Sequence, residues 1–217
     1  MEVKWYGHAA FFIKGDGVRI ITDPYKPGAY GGGIAYGPIR DEADVVTVSH
    51  EHDDHNCTAD LPGSPVVVKG PGRHEAKGVI FEGIATYHDP SGGAERGENT
   101  VFCFTVEGIR VCHLGDLGHV LKDEQVRAIG KVDLLLIPVG GFYTIDAKEA
   151  TEVLQQLKPK KVIPMHFKTS KCNFPIAGVE PFLQGKERVR RVGGSVVTFS
   201  PGDFEGETEV VVLEHAL

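Results

Sequence analysis

The sequence predicts an α/β domain made of two packed sheets with helices on the outside. Three observations carry that reading. Apolar, β-branched runs dominate the chain and read as buried strands. Helical patterns lie between such runs in both halves of the chain. No linker or low-complexity stretch divides the 217 residues, a length that suits one sizeable core, so residues 1–217 are expected to form a single domain.

The elements follow in order. "VKWYG", "AFFIKG" and "VRIITDP" read as strands, with Gly15-Asp16-Gly17 turning the second into the third. The Gly-rich segment "GAYGGGIAYGP" (Gly28 to Pro38) lacks the GK[ST] ending of a phosphate loop. It is either a surface loop or a lid that brings Tyr30 and Tyr36 to a substrate. "ADVVTVS" and "SPVVVKG" are buried strands, and a short helix is expected between His55 and Leu61-Pro62-Gly63. "GVIFEGIATY", "TVFCFTV" and "IRVCHLG" are further strands; a turn at Glu107-Gly108 sets Cys103 opposite Cys112 as packed thiols. "LKDEQVRAIG" is a helix, "VDLLLIPVG" a strand, and "DAKEATEVLQQLK" the clearest helix. Asp146 caps it, Ala147, Ala150, Val153, Leu154 and Leu157 form one stripe, and Pro159 stops it. "KKVIPMHF", "GSVVTFSPG" and "EVVVLE" are strands, "VEPFLQG" is a weaker helix, and "KERVRR" (Lys186 to Arg191) is a solvated face.

Composition narrows the function. Hydrophobic residues are 41% and charged residues 24%, an ordinary globular balance. The formal charge of −7 argues against a general polyanion binder, so no nucleic-acid partner is expected. No apolar run is long enough to span a bilayer, and the opening lacks a basic region followed by an apolar one, so no membrane partner and a cytoplasmic location are expected. The four cysteines form no CxxC pair, which indicates neither a zinc knuckle nor a thioredoxin motif.

The chemistry is concentrated in "SHEHDDHN" (Ser49 to Asn56). Residues two apart on an extended chain point the same way, so His50 and His52 face one point. Asp54 and His55 follow where the chain turns and reach the same pocket from another direction. Imidazole and carboxylate without thiolate suit Zn²⁺, Mn²⁺ or Fe²⁺. Glu51 and Asp53 read as spacers turned outward. A metal needs further ligands, and three later strands end on a suitable residue: His88 in "GIATYHDP", Asp116 in "CHLGDLGH" and His166 in "VIPMHF".

Together these motifs resemble the metallo-β-lactamase superfamily: "SHEHDDH" has the form HxHxDH, and His88, Asp116 and His166 follow in order. The opening "WYGHAAFFIKGDGVRIITDP", the "HLGDLGH" box and "VIPMHF" resemble one branch more closely, the metal-dependent hydrolases similar to L-ascorbate-6-phosphate lactonase. The resemblance implies a four-layer αββα sandwich with the metal site at one edge of the two sheets. It implies that His50, His52 and His88 bind a first ion, that Asp54, His55 and His166 bind a second, and that Asp116 bridges them. Zinc is the foremost choice, with manganese or iron as alternatives.

What this implies chemically is a hydrolase whose two divalent ions share a hydroxide, formed because coordination draws the pKa of water toward about 7. Asp54 and Asp116 are the candidate catalytic carboxylates. Two divalent ions, one hydroxide and these two carboxylates sum to about one positive charge, so a small anionic lactone, ester or phosphodiester is the expected substrate. A mono-iron oxidoreductase and a non-catalytic metal-binding module are the alternatives. His8 and Asp23 are candidates to hold ligand side chains from behind. Alternation turns His113 into the sheet packing rather than toward the ligands. His119 is either a substrate contact or a solvated helix-start residue; Arg96 and Lys168 are either contacts for an anionic group or ordinary solvated charges. The sequence leaves a homo-oligomer open.

Overall fold

In the central strands, alternate side chains go to two different apolar clusters. The computed structural model describes all residues, Met1–Leu217. In β1 (Glu2–Gly7), Val3 and Trp5 join the larger cluster and Tyr6 the smaller. In β2 (Ala10–Gly15), Phe11 and Ile13 face one way and Ala10 and Phe12 the other. Ile20 and Ile21 in β3 (Val18–Thr22) divide similarly, as do Val45 and Val46 in β4 (Val45–Val48). A two-residue period with both faces apolar is what a sheet covered on both sides requires.

These strands, with β5 (Val66–Lys69) and the late strand β13 (Val196–Thr198), form a six-stranded sheet in the order β13-β1-β2-β3-β4-β5. The second sheet contains β6 (Gly72–Ala76), β7 (Val79–Tyr87), β8 (Glu98–Val106), β9 (Ile109–His113), β10 (Leu134–Pro138), β11 (Lys161–Met165), β12 (Val189–Arg191) and β14 (Glu209–Val212). Its eight strands run in the order β12-β14-β11-β10-β9-β8-β7-β6. The larger cluster, 48 buried residues, joins the inter-sheet core to the helices on the second sheet; the smaller, 15 residues, lies on the outer face of the first.

Helices α2 (Asp123–Ile129), α3 (Ala147–Leu157) and the single turn α4 (Glu180–Leu183) belong to the second sheet's side, and Ala150, Val153 and Leu157 are the buried residues of α3. Asp146 accepts hydrogen bonds from the amides of Lys148 and Glu149 at 2.9 Å, and the Glu149 carboxylate accepts one from the Asp146 amide at 3.0 Å. The first sheet is covered differently. Its outer layer is the segment from Tyr25 to Ala43, with only one distorted helical turn, α1 (Ala29–Gly32), meeting Cys172 and Ile176 from the far end of the chain.

Hairpin turns set the register. Asp16-Gly17, Lys77-Gly78 and Glu107-Gly108 all have two consecutive positive φ angles, the type I′ geometry that follows strand twist. The last of them pairs Cys103 with Cys112 across β8 and β9, both buried and free. The helix expected after His55 does not form. That stretch is a series of turns, with the His55 and Asn56 amides bonded back to the His52 carbonyl and the Cys57 amide to Pro24. Its polar sequence has no apolar stripe to bury, so nothing rewards a helix there. No helix of the molecule is long and apolar enough to cross a membrane.

Candidate metal centre

The sheets collect strand ends on one edge. β3, β4 and β5 are parallel, as are β9, β10, β11 and β14, and β7 runs with β9 because each is antiparallel to β8. Asp23 follows β3, Ser49 and His50 follow β4, His88 follows β7, Asp116 follows β9 and His166 follows β11. Backbone hydrogen bonds tie these ends together: the amide of Thr100 to Ser49, of Gly118 to Tyr87, and of His166 to His8, at 2.9, 2.9 and 3.0 Å.

The seven candidate ligands converge. Ligand-capable atoms of His50, His52 and His88 lie within 4.8 Å of one another, as do those of His8, Asp54, His55 and His166, and those of His50, His55 and Asp116. Asp116 is the hub: its Oδ2 lies 3.1 Å from His55 Nε2, 3.3 Å from His88 Nε2 and from His166 Nε2, and 3.9 Å from His50 Nε2. Glu51 points outward, its carboxylate 2.7 Å from Lys69 Nζ.

Asp23 explains why bare nitrogens face the hub. Its Oδ2 accepts from His55 Nδ1 at 3.0 Å and from the Ser49 hydroxyl at 2.6 Å; that hydroxyl in turn accepts from His50 Nδ1 at 2.9 Å. One buried carboxylate therefore places the protons of both rings on Nδ1. The Nε2 lone pairs of His50 and His55 are left buried without a hydrogen-bond partner, as is Asp116 Oδ1. Lone pairs aimed at a carboxylate repel unless positive charge lies between them. The residues present thus fit a divalent cation.

Electrostatics agree. Burial would raise the Asp116 carboxyl, but the His166, His55 and His88 imidazoles hold it well below its usual range. Burial lowers His55, yet Asp116 and Asp54 raise it well above an ordinary imidazole: without an ion, the carboxylates draw a proton onto the Nε2 that a cation would otherwise take. His50 falls to about 3 through burial and the neighbouring His55. His8 is fully buried, and its Nε2 lies 3.0 Å from Asp54 Oδ2. Burial and the adjoining His166 lower it to about 4, so it meets Asp54 as a neutral donor.

Two of the candidate contacts make bonds to backbone. His119 Nε2 accepts from the Tyr87 amide at 3.2 Å and its Nδ1 donates to the Val120 carbonyl at 2.8 Å. Both ring nitrogens are consumed by backbone. Lys168 does not meet the cavity; its ammonium donates to the Phe174 carbonyl at 2.9 Å and pins that loop. Arg96 does line the cavity, which measures about 440 Å³, together with Tyr30, Tyr143 and Phe174. Tyr36 is buried, its hydroxyl 2.7 Å from Thr169 Oγ1.

Sequence reasoning passed over Asp89, Tyr143 and Phe174. Asp89, in "HDPSGG", gathers the loop behind His88: its carboxylate accepts from the amides of Ser91, Gly93, Glu95 and Arg96 at 2.8 to 3.0 Å. The turn residues after it were the available signal. Burial raises this carboxyl, but the four donors together bring it down to about 2 from 3.8. Its contribution to stability is present above pH 3.8 and fades as pH falls toward about 2. Asp89→Asn is therefore expected to melt below wild type at about pH 5, and the gap to close on acidification, as read by calorimetry.

Comparison with known proteins gives a consistent result. A family model described as the beta-lactamase superfamily domain matches residues 2–166. A UPF0173 metal-dependent hydrolase of Thermococcus onnurineus is 29% identical, over 94% of this chain and 98% of that protein. A Thermotoga maritima structure, named as a zinc-dependent hydrolase of the metallo-beta-lactamase superfamily, is 40% identical with a TM-score of 0.81, over 98% of this chain and 97% of that one. The metallo hydrolase Igni18 of Ignicoccus hospitalis shares the fold at a TM-score of 0.60 and 20% identity, over 99% of this chain and 95% of that one.

Proposed function

This chain belongs to the beta-lactamase superfamily and is a metal-dependent hydrolase, and we propose that it cleaves a small anionic lactone, ester or phosphodiester at a centre of two divalent ions. His50, His52 and His88 would hold one ion, Asp54, His55 and His166 the other, and Asp116 both. The observation that carries this reading is the convergence of four imidazole Nε2 atoms on Asp116 Oδ2, two of them on rings whose Nδ1 is tied to Asp23, His55 directly and His50 through Ser49. Divalent ions bound there supply Lewis acidity and bring water within reach of ionisation at neutral pH.

The chain's own groups do the rest. Asp23 keeps the protons on His50 and His55 away from the reacting side. His8 fixes the rotamer of Asp54 through Oδ2, which leaves Oδ1 to take a proton from the attacking water. The Tyr30 hydroxyl reaches that Oδ1 at 3.4 Å; burial and Asp54 push its phenol up to about 12, so it remains a donor. Hydrolysis breaks the ester C–O or P–O bond. The hydroxyl of water joins the acyl or phosphoryl atom and its hydrogen passes to the leaving oxygen.

The test is to strip the protein with a chelator, restore Zn²⁺, Mn²⁺ or Fe²⁺, and screen lactones, nitrophenyl esters and bis-nitrophenyl phosphate while counting bound metal. Restored turnover at two ions per chain is the expected result. Full turnover by the stripped protein would overturn it, and oxygen-dependent turnover with one iron per chain would favour an oxidoreductase.

A further inference from the structure

Beside the candidate ligands, the cavity is lopsided. One side carries aromatic rings in an edge-to-face chain: Tyr30 to Phe174 at 5.7 Å between centroids, and Phe174 to Tyr143 at 5.5 Å. Tyr30 is built on strained backbone, with φ 54° and ψ 45°, the left-handed region that bulky residues avoid. Phe142, next to Tyr143 and 64% exposed, has φ 67°. Strain of this kind persists only where the surroundings over-determine it. Here it holds Tyr30 in the cavity wall, and Phe142 against Tyr143, which lines it, at 4.8 Å between centroids.

Arg96 is the single arginine or lysine lining this cavity. Its guanidinium lies 5.9 Å from the Tyr143 ring centroid and forms no hydrogen bond within the chain; its one ion pair is with its neighbour Glu95 at 3.5 Å. Its backbone is fixed, because its amide donates to Asp89 at 2.8 Å. A guanidinium placed by a rigid loop and resting on a ring is a fork with its donors free.

We propose that Arg96 and the wall of Tyr30, Tyr143 and Phe174 make the site selective for an oxyanion joined to an aromatic body, so that the preferred substrate is an aryl-bearing ester or lactone carrying a carboxylate or phosphate. The identity of the cleaved bond rests on the reaction proposed above; the recognition does not. Arg96 binds the anion, the rings cover the planar body, and the labile bond is directed toward Asp54 and Asp116.

Binding tests this without turnover. Isothermal titration of the zinc-loaded protein would compare benzoate, phenyl phosphate, benzamide and acetate. Arg96→Gln is expected to weaken benzoate and phenyl phosphate by about tenfold or more and benzamide by less than about twofold, since charge-assisted hydrogen bonds are lost only to the anions. Phe174→Ala is expected to weaken benzoate by about tenfold and acetate little. Metal content should stay at the wild-type level in both. A response of phenyl phosphate alone assigns the anion as phosphate, and of benzoate alone as carboxylate. Equal loss for benzamide and the anions, no loss for either anion, or acetate binding as tightly as benzoate in the wild type would overturn the proposal. Arg96-dependent binding in a protein that hydrolyses no ester would overturn the reaction and leave the recognition standing.

Discussion

Asp116→Ala is expected to lower turnover by at least about 10³-fold and to reduce bound metal, while the far-ultraviolet circular dichroism stays that of the wild type. Only 2% of Asp116 is exposed, and its Oδ2 is the point on which four imidazoles close. Its place in the backbone depends on other groups: its amide donates to Asn99 Oδ1 at 2.9 Å, and Asn99 is itself held by Thr86 and Leu114. The side chain can therefore be removed without unravelling the strand ends. Metal-free Asp116→Ala should melt below metal-free wild type, because the imidazoles that hold the Asp116 carboxyl low, His55 among them, lose their counter-charge. The gain in melting temperature on adding zinc should shrink in the variant, because a ligand stabilises only in proportion to its affinity for the fold. An active, metal-replete Asp116→Ala protein would sink the proposed centre.

The features that were legible in the sequence share a physical cause: they are short-range. Asp16-Gly17 and Glu107-Gly108 require left-handed backbone, which marks a tight hairpin whatever surrounds it. Asp146 satisfies amides two and three residues on. The spacing of His50 and His52 directs two rings to one side because strand geometry is local. Features that depend on distant partners were not legible. β6 and β12 are mostly exposed edge strands, and β6 buries only Ala76 completely, so neither carries an apolar pattern. His119 stood beside the strongest motif, yet the Tyr87 amide and the Val120 carbonyl claim its nitrogens. Tyr143 and Phe174 reach the cavity from loops about thirty residues apart, and nothing near either one announces a shared wall.

The glycines of "HLGDLGH" carry the other large effect, and the structure gives their spacing a steric meaning. Gly118→Ala is expected to lower turnover by about 10²-fold and stability by about 1–3 kcal/mol. A Cβ at Gly118 would lie 2.3 Å from the Asp89 nitrogen and from the His88 carbonyl carbon, and 2.5 Å from the His88 oxygen. All three are backbone atoms, so no side chain can swing aside. The φ of Gly118 is one that alanine adopts freely, and the whole cost is therefore this contact. Relief requires the Asp116 segment to retreat from the His88 segment by about an ångström. That displacement falls on the 3.3 Å approach of His88 Nε2 to Asp116 Oδ2 and on the Gly118 amide bond to Tyr87. Gly115 meets the same crowding on its other side, where a Cβ would lie 2.4 Å from Asn99 Oδ1 and 2.6 Å from Ser49 Cβ. Gly178→Ala is the matched control, since a Cβ there meets nothing within 4 Å. Turnover and metal content measured well below the melting temperature of each variant separate a displaced site from an unfolded one. Wild-type turnover in Gly118→Ala would show that the close approach of the two loops is not what seats Asp116.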